Sequence, residues 1–192
     1  MNKIPKIIHQ IWSGIDEPLP SYFKALGETW KRDYPEWKYE FWNNDRMNQF
    51  IQEYYPLYWK PYNSFPHNIQ RWDAIRYLIL DKTGGMYVDF DYESIKPLDD
   101  VLKEKTCCFA SEPTEHLSIF GRNMYINNAL MASIPNHPFM NEIIQKVFMS
   151  EKTNKEYTDK MDEVLKTTGP ILISNLLEQT EYKKRFLFFL QT

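Results

Sequence analysis

The sequence has only two cysteines in 192 residues, and they are adjacent, Cys107 and Cys108. Neighbours on an extended chain point to opposite faces, so the pair reads as reduced thiols, an expectation that fits a cytoplasmic protein. Positive charge is also scarce: 23 Lys and Arg against 26 Asp and Glu leave a formal net charge of -3. That balance argues against a chain built to bind nucleic acid, which needs clustered Lys and Arg to displace counterions. An anionic ligand would need local help, from a cation or a single Arg. Long apolar runs are missing too. No stretch approaches the ~20 apolar residues of a membrane span. The opening Met1-Asn2-Lys3-Ile4-Pro5 lacks the apolar core and cleavage site of a signal peptide, which leaves peripheral membrane contact through the apolar C-terminal end as the open option. No internal repeat or low-complexity segment is present, and His67, His116 and His137 show no zinc-like spacing.

What is present suits a single α/β domain over residues 1–192, long enough to bury roughly two thirds of the surface its unfolded chain exposes. Aromatic residues are abundant, with 6 Trp, 13 Tyr and 12 Phe, and they suit either a core or a sugar or base site. The β-branched run Lys6–Trp12, closed by Ser13-Gly14, predicts a buried first strand in which His9 is a hydrogen-bonded interior residue. A helix is expected over Tyr22–Asp33, a strand over Trp37–Trp42, and a helix over Arg46–Tyr54 capped by Asn43-Asn44-Asp45. Residues 55–66, with three prolines and five aromatics, read as an irregular or short-helical connection.

A stronger helix is expected over Asn68–Lys82, ended by Gly84-Gly85. Strands are then predicted at Met86–Phe90, Ser94–Leu98, Thr106–Ala110 and Asn127–Ala132, and a candidate strand at Phe186–Leu190. Helices are expected from Pro138 to Phe148 and from Thr168-Gly169-Pro170 to Leu177, with a solvated turn and helix start over Glu151–Lys160 and a polar loop over Ser111–Gly121. The alternation predicts a mainly parallel sheet with helices on both faces.

In Met86-Tyr87-Val88-Asp89-Phe90-Asp91 the period of two puts Met86, Val88 and Phe90 on one face and Tyr87, Asp89 and Asp91 on the other. Two carboxylates so spaced lie roughly 7 Å apart at their Cα atoms, close enough to share one hard divalent cation, directly from one and through water from the other. Such a cation, Mn²⁺ or Mg²⁺, completes its shell with phosphate oxygens and water, which makes a diphosphate the natural missing ligand. The triplet alone also fits a solvated strand end. On the preceding helix Trp72, Ile75, Leu78 and Ile79 form an apolar arc, with Asp73 and Arg76 at its edge. That pair reads either as a simple ion pair or as a sugar-binding acid beside a phosphate-binding base. Trp12, at the carboxyl end of the first strand, is placed to stack on a base or to pack a core.

The blocks Ile4–Trp12, Asp73-Ala74-Ile75-Arg76-Tyr77 and Gly84–Asp91, in that order, resemble the glycosyltransferase family with a sugar-binding DXD region, known as family 32. That family includes initiating α-1,6-mannosyltransferases and capsular polysaccharide enzymes and is related to the large clostridial toxin catalytic domains. The resemblance implies a GT-A fold, a UDP- or GDP-sugar donor, and retaining hexosyl transfer to a glycan or glycoconjugate hydroxyl. It also implies Trp12 stacked on the donor base, Asp73 and Arg76 on the donor sugar, Tyr87 near ribose or sugar, and Asp89 and Asp91 at sugar, ribose and metal, with Asp91 the direct ligand. No protein nucleophile is nominated.

Two departures stand out: relatives commonly continue into a segment that closes over the donor, and they carry a small residue where this chain has Trp72. Glu112, Asn127 and Asn128 are the candidates for the acceptor side. The competing readings are an inactive nucleotide-sugar- or carbohydrate-binding module and a phosphohydrolase with an Asp-x-Asp loop.

Overall fold

The computed structural model describes residues 3–117, 121, 125–149, 156–179 and 187–190. The described strands form one sheet in the order β2-β1-β3-β5-β4-β6, with β1 at Ile7–Ile11, β2 at Lys38–Trp42, β3 at Gly85–Val88, β4 at Cys107–Ser111, β5 at Ile126–Ser133 and β6 at Leu187–Leu190. β1 pairs in parallel with β2 and β3, and β4 with β6. β5 runs antiparallel to both β3 and β4, so the expected mainly parallel sheet carries one reversed strand.

Helices cover both faces. On one face lie α1 (Ser21–Asp33) and the short α5 (Asp99–Leu102), packed through Trp30, Tyr34 and Leu102 on Ile8, Met86, Val88 and Cys108. The other face carries α2 (Asn44–Tyr54), a 3-10 turn at Pro56–Tyr58, α3 (Trp59–Asn63) and the central α4 (Asn68–Thr83). It is completed by α7 (Pro138–Met149), α8 (Lys160–Thr167) and α9 (Pro170–Gln179), packed on Tyr87, Cys107, Phe109 and Met131. A further short helix, α6 (Thr114–Leu117), interrupts the loop expected after β4. Cys107 and Cys108 thus face opposite cores, as the strand period requires.

Asn43 caps α2, its side chain accepting from the Arg46 amide at 2.9 Å. α4 is buried on nearly all sides, Asp73 through Asp81 included, so the amphipathic arc expected of it widens into a central helix wedged between the sheet and α7. It stops at Gly84, and Gly85 has φ +104°; a Cβ there would meet the Ile7 carbonyl oxygen at 2.6 Å. Only glycine lets β1 come that close.

Two predicted elements are corrected. β3 ends at Val88, and a turn closed by the Tyr92 amide on the Asp89 carbonyl at 3.3 Å takes the chain off the sheet. Ser94–Leu98 is not a strand. α1 satisfies its backbone instead: Thr29 Oγ1 accepts from the Ser94 amide at 2.8 Å, the Tyr34 hydroxyl accepts from the Leu98 amide at 2.7 Å, and Arg32 donates to the Ser94 carbonyl at 3.2 Å. Residues 151–155 of the Glu151–Lys160 stretch, and residue 186 ahead of β6, lie outside the described residues. Among the described residues no helix is long and apolar enough to cross a membrane.

Candidate active site

The parallel strands β1 and β3 end side by side, and β1 connects through α1 to β2 on one flank and onward to β3 on the other. Strand order reverses there, the place where open α/β sheets leave a crevice beyond their carboxyl ends. A cavity of about 330 Å³ occupies it. Its apolar wall is built by Trp12, Phe23, Trp72 and Phe90, and its polar lining is Asp16, Glu17, Arg76, Asp89 and Asp91, with Tyr87 beneath.

The triplet divides its work across the end of the strand. Asp89 stays in the alternation of β3, on the α4 side with Tyr87. Phe90 turns to the α1 side and is 5% exposed, edge-on to Trp12 and Phe41. α1 makes room for it with Gly27, where a Cβ would meet the Phe90 ring at 2.9 Å. Asp91, beyond the ladder, is exposed, and its carboxylate accepts no hydrogen bond from another described residue.

Behind this edge lies a buried network. The Arg76 guanidinium sits between two carboxylates, Asp73 and Asp89, each at 3.3 Å, and donates to the Asn128 carbonyl at 2.9 Å and the Trp72 carbonyl at 3.2 Å. It also lies over the Tyr87 ring, 4.6 Å from the centroid. Burial opposes its charge, but Asp89, Tyr87 and Asp73 outweigh that and raise its pKa, so it stays cationic. Burial pushes the Asp73 carboxyl up against the pull of Arg76, Thr168 and Asn128. Burial also raises the Tyr87 phenol well above its ordinary value, and its hydroxyl donates to Asp89. The Asp91 carboxyl is raised by partial desolvation at the cavity mouth and by the neighbouring Asp89 charge.

The sequence-predicted residues are therefore brought together unequally. Trp12, Trp72, Arg76, Tyr87, Asp89 and Asp91 all line the cavity, whereas Asp73 stands behind Arg76. Its oxygens accept from Asn128 Nδ2 at 2.9 Å and Thr168 Oγ1 at 3.0 Å. Asn128 is interior, its amide also donating to the Tyr77 hydroxyl at 2.8 Å, and Asn127 donates to Glu112 at 2.9 Å; none of these three lines the cavity. His9 is interior as expected: its Nδ1 accepts from the Trp42 indole at 3.1 Å and its Nε2–H donates to the Gly84 carbonyl at 2.9 Å.

Residues that sequence reasoning missed are Asp16, Glu17 and Phe23 on the cavity wall and Thr168 behind Asp73. The Thr168-Gly169-Pro170 run marked a helix start, without a sign that its hydroxyl crosses to α4.

Among the described residues no group of three or more His, Cys, Asp and Glu converges as a metal cage. Asp89 and Asp91, two residues apart at the end of β3, offer hard oxygens, a donor set that fits Mg²⁺ or Mn²⁺ sharing its shell with a ligand and water. The lining holds four carboxylates and one guanidinium, and that guanidinium is already paired with two carboxylates.

A family pattern described as a glycosyltransferase sugar-binding region containing a DXD motif matches residues 20–108. The inositol phosphoceramide mannosyltransferase 1 of Schizosaccharomyces pombe is 32% identical over 177 residues, covering 91% of this chain and 51% of that protein. The mannosyl phosphorylinositol ceramide synthase SUR1 of Saccharomyces cerevisiae is 29% identical over 181 residues, covering 94% of this chain and 43% of that protein. The chain spans about half the length of these curated relatives. Among solved structures, the UDP-bound glycosyltransferase domain from the YGT toxin aligns with a TM-score of 0.65 at 9% identity, over 100% of this chain and 80% of that one. That likeness is one of fold, and the fold is of the GT-A type. The matched span takes in α4, β3 and the triplet, and the similarity to the yeast proteins runs on through nearly the whole chain: it belongs to the glycosyltransferases with a sugar-binding region containing a DXD motif.

Proposed function

We propose that the chain moves a hexose from a UDP- or GDP-sugar to a hydroxyl of a glycan or glycolipid acceptor, with retention of configuration and dependence on Mn²⁺ or Mg²⁺. The observation that carries this reading is the Asp91 carboxylate, without a hydrogen-bond partner among the other described residues, beside an Asp89 already anchored to Arg76, at the mouth of a cavity walled by aromatic rings. Four carboxylates repel a diphosphate, so an anionic donor enters only with a cation that answers them. A divalent ion held by Asp91 and Asp89 would supply that charge and stabilise the departing nucleoside diphosphate.

The chain's own residues do the rest. Trp12 offers a ring face to the base, and Arg76, fixed by its partners, presents its charge without having to reorganise. Asp73 acts from behind the cavity wall, by holding Arg76 in place. The names of the yeast relatives point to an acceptor such as an inositol-phosphate-bearing sphingolipid, a hydroxyl-rich head group on a membrane lipid.

The test is a panel of UDP- and GDP-sugars incubated with Mn²⁺ and with acceptor candidates. Release of nucleoside diphosphate that EDTA abolishes is the expected outcome. Phosphate release from simple monoesters would replace this reading with a phosphohydrolase. Nucleotide binding with no turnover on any donor would replace it with an inactive binding module.

A further inference from the structure

Resting on the placement of the donor base against Trp12, we infer that the base is guanine and that Glu17 reads it. The β1–α1 loop folds back on itself so that the Glu17 carbonyl accepts from the Trp12 indole Nε1 at 3.0 Å. This brings Glu17 to the edge of the ring on which the base would lie, and Glu17 lines the same cavity.

The loop is tied to its surroundings at two points and braced by one bond within itself. The Ser13 carbonyl accepts from the Asn44 amide at 3.1 Å, Ser13 Oγ accepts from the Ile15 amide at 3.3 Å, and Asp16 accepts from Asn68 Nδ2 at 3.4 Å. Gly14, with φ +72°, permits the turn. Asp16 is thereby engaged with α4, whereas the Glu17 carboxylate accepts no hydrogen bond from any described residue.

A carboxylate only accepts. Guanine is the one common base whose pairing edge sets two donors side by side, the ring N1–H and the exocyclic amino group, to which a carboxylate bonds through both oxygens. Uracil presents a single N–H between two carbonyl oxygens, which a carboxylate repels. Adenine and cytosine set an amino group beside a ring nitrogen that itself accepts. Glu17 is exposed, so water competes for it, and the discrimination expected is about tenfold to a hundredfold rather than the far larger ratio of a sealed site.

Calorimetric titration with GDP and with UDP, each in the presence of Mn²⁺, tests this on the unaltered chain and on Glu17→Gln and Glu17→Ala, surface changes that leave the fold intact. The expected result is GDP at least about tenfold tighter than UDP, a preference that shrinks to within about threefold in both variants through loss of GDP affinity. UDP binding as tightly as GDP, or more so, overturns the inference while leaving the donor-site reading in place. A GDP preference unchanged in Glu17→Ala overturns the assignment to Glu17. Binding of neither nucleotide overturns the donor-site reading and this inference with it.

Discussion

Arg76 on the central helix holds Asp89, the first carboxylate of the triplet, at 3.3 Å, and with its other terminal nitrogen holds Asp73 at the same distance. Arg76 and Asp73 are 7% and 5% exposed, so this pair lies out of reach of bulk water, while the Asp89 side chain, 30% exposed, carries the cluster to the cavity wall. A cluster of this kind contributes little net stability while intact, but the loss of one member leaves its partners buried and unanswered.

Arg76→Ala should therefore cost about 3–5 kcal/mol, mostly through the orphaned Asp73 carboxylate, and Arg76→Lys less, since an ammonium restores the charge but not the forked geometry. Urea denaturation followed by near-UV circular dichroism checks this. A variant with unchanged midpoint would mean that the cluster is solvated.

The two carboxylates of the triplet should separate cleanly. Asp91→Ala removes an exposed group with no partner among the described residues, so stability should stay within about 0.5 kcal/mol while Mn²⁺-dependent nucleotide binding falls by more than about tenfold. Asp89→Ala strips a partner from both Arg76 and Tyr87 and should cost about 1–3 kcal/mol in addition to the binding loss. Thermal melts with and without Mn²⁺ and GDP or UDP distinguish the two.

Gly27 tests how Phe90 is seated. Alanine in mid-helix normally gains about 1 kcal/mol over glycine. Here its methyl would meet the Phe90 ring at 2.9 Å and Gln10 Oε1 at 3.0 Å, and overpacking of that order costs about 1–3 kcal/mol. The net expectation is a destabilised Gly27→Ala whose nucleotide affinity falls with it, because Phe90 lies between Asp89 and Asp91. A more stable variant with unaltered affinity would show that the ring yields freely.

How much of this was legible follows from the range of the interactions. The triplet, the Asp73/Arg76 spacing and the Gly84-Gly85 stop are local patterns, and the structure sets Arg76, Asp89 and Asp91 around one cavity. The alternation that placed Tyr87 with Asp89 and Phe90 opposite survives past the end of the ladder at Val88. Asp73's other partners stand 55 and 95 residues away, on Asn128 and Thr168, and no spacing rule reaches that far. Ser94–Leu98 misled for a related reason: its pattern suits a strand, but its amides are taken by Thr29 and Tyr34 side chains of the α1 region before any strand can claim them. The reversed direction of β5 is likewise a matter of connection, not of residue pattern.

His9 supplies a pH signature of the fold itself. It is 1% exposed, and burial depresses its pKa to about 4 from the model-peptide 6.5. Its Nδ1 must stay unprotonated to accept from Trp42. The unfolded chain takes up a proton near pH 6.5 and the folded chain does not until about pH 4, so stability is lost as pH falls through that window and is regained on raising it. Between pH 7 and pH 5 the loss attributable to His9 is about 2 kcal/mol. His9→Gln, whose amide can both accept from Trp42 and donate to the Gly84 carbonyl, removes the titrating group while keeping both bonds. Urea titrations at pH 7, 6 and 5 should show the unaltered chain falling about 2 kcal/mol more than this variant. Parallel decline in the two proteins would place the acid sensitivity elsewhere, among the carboxylates.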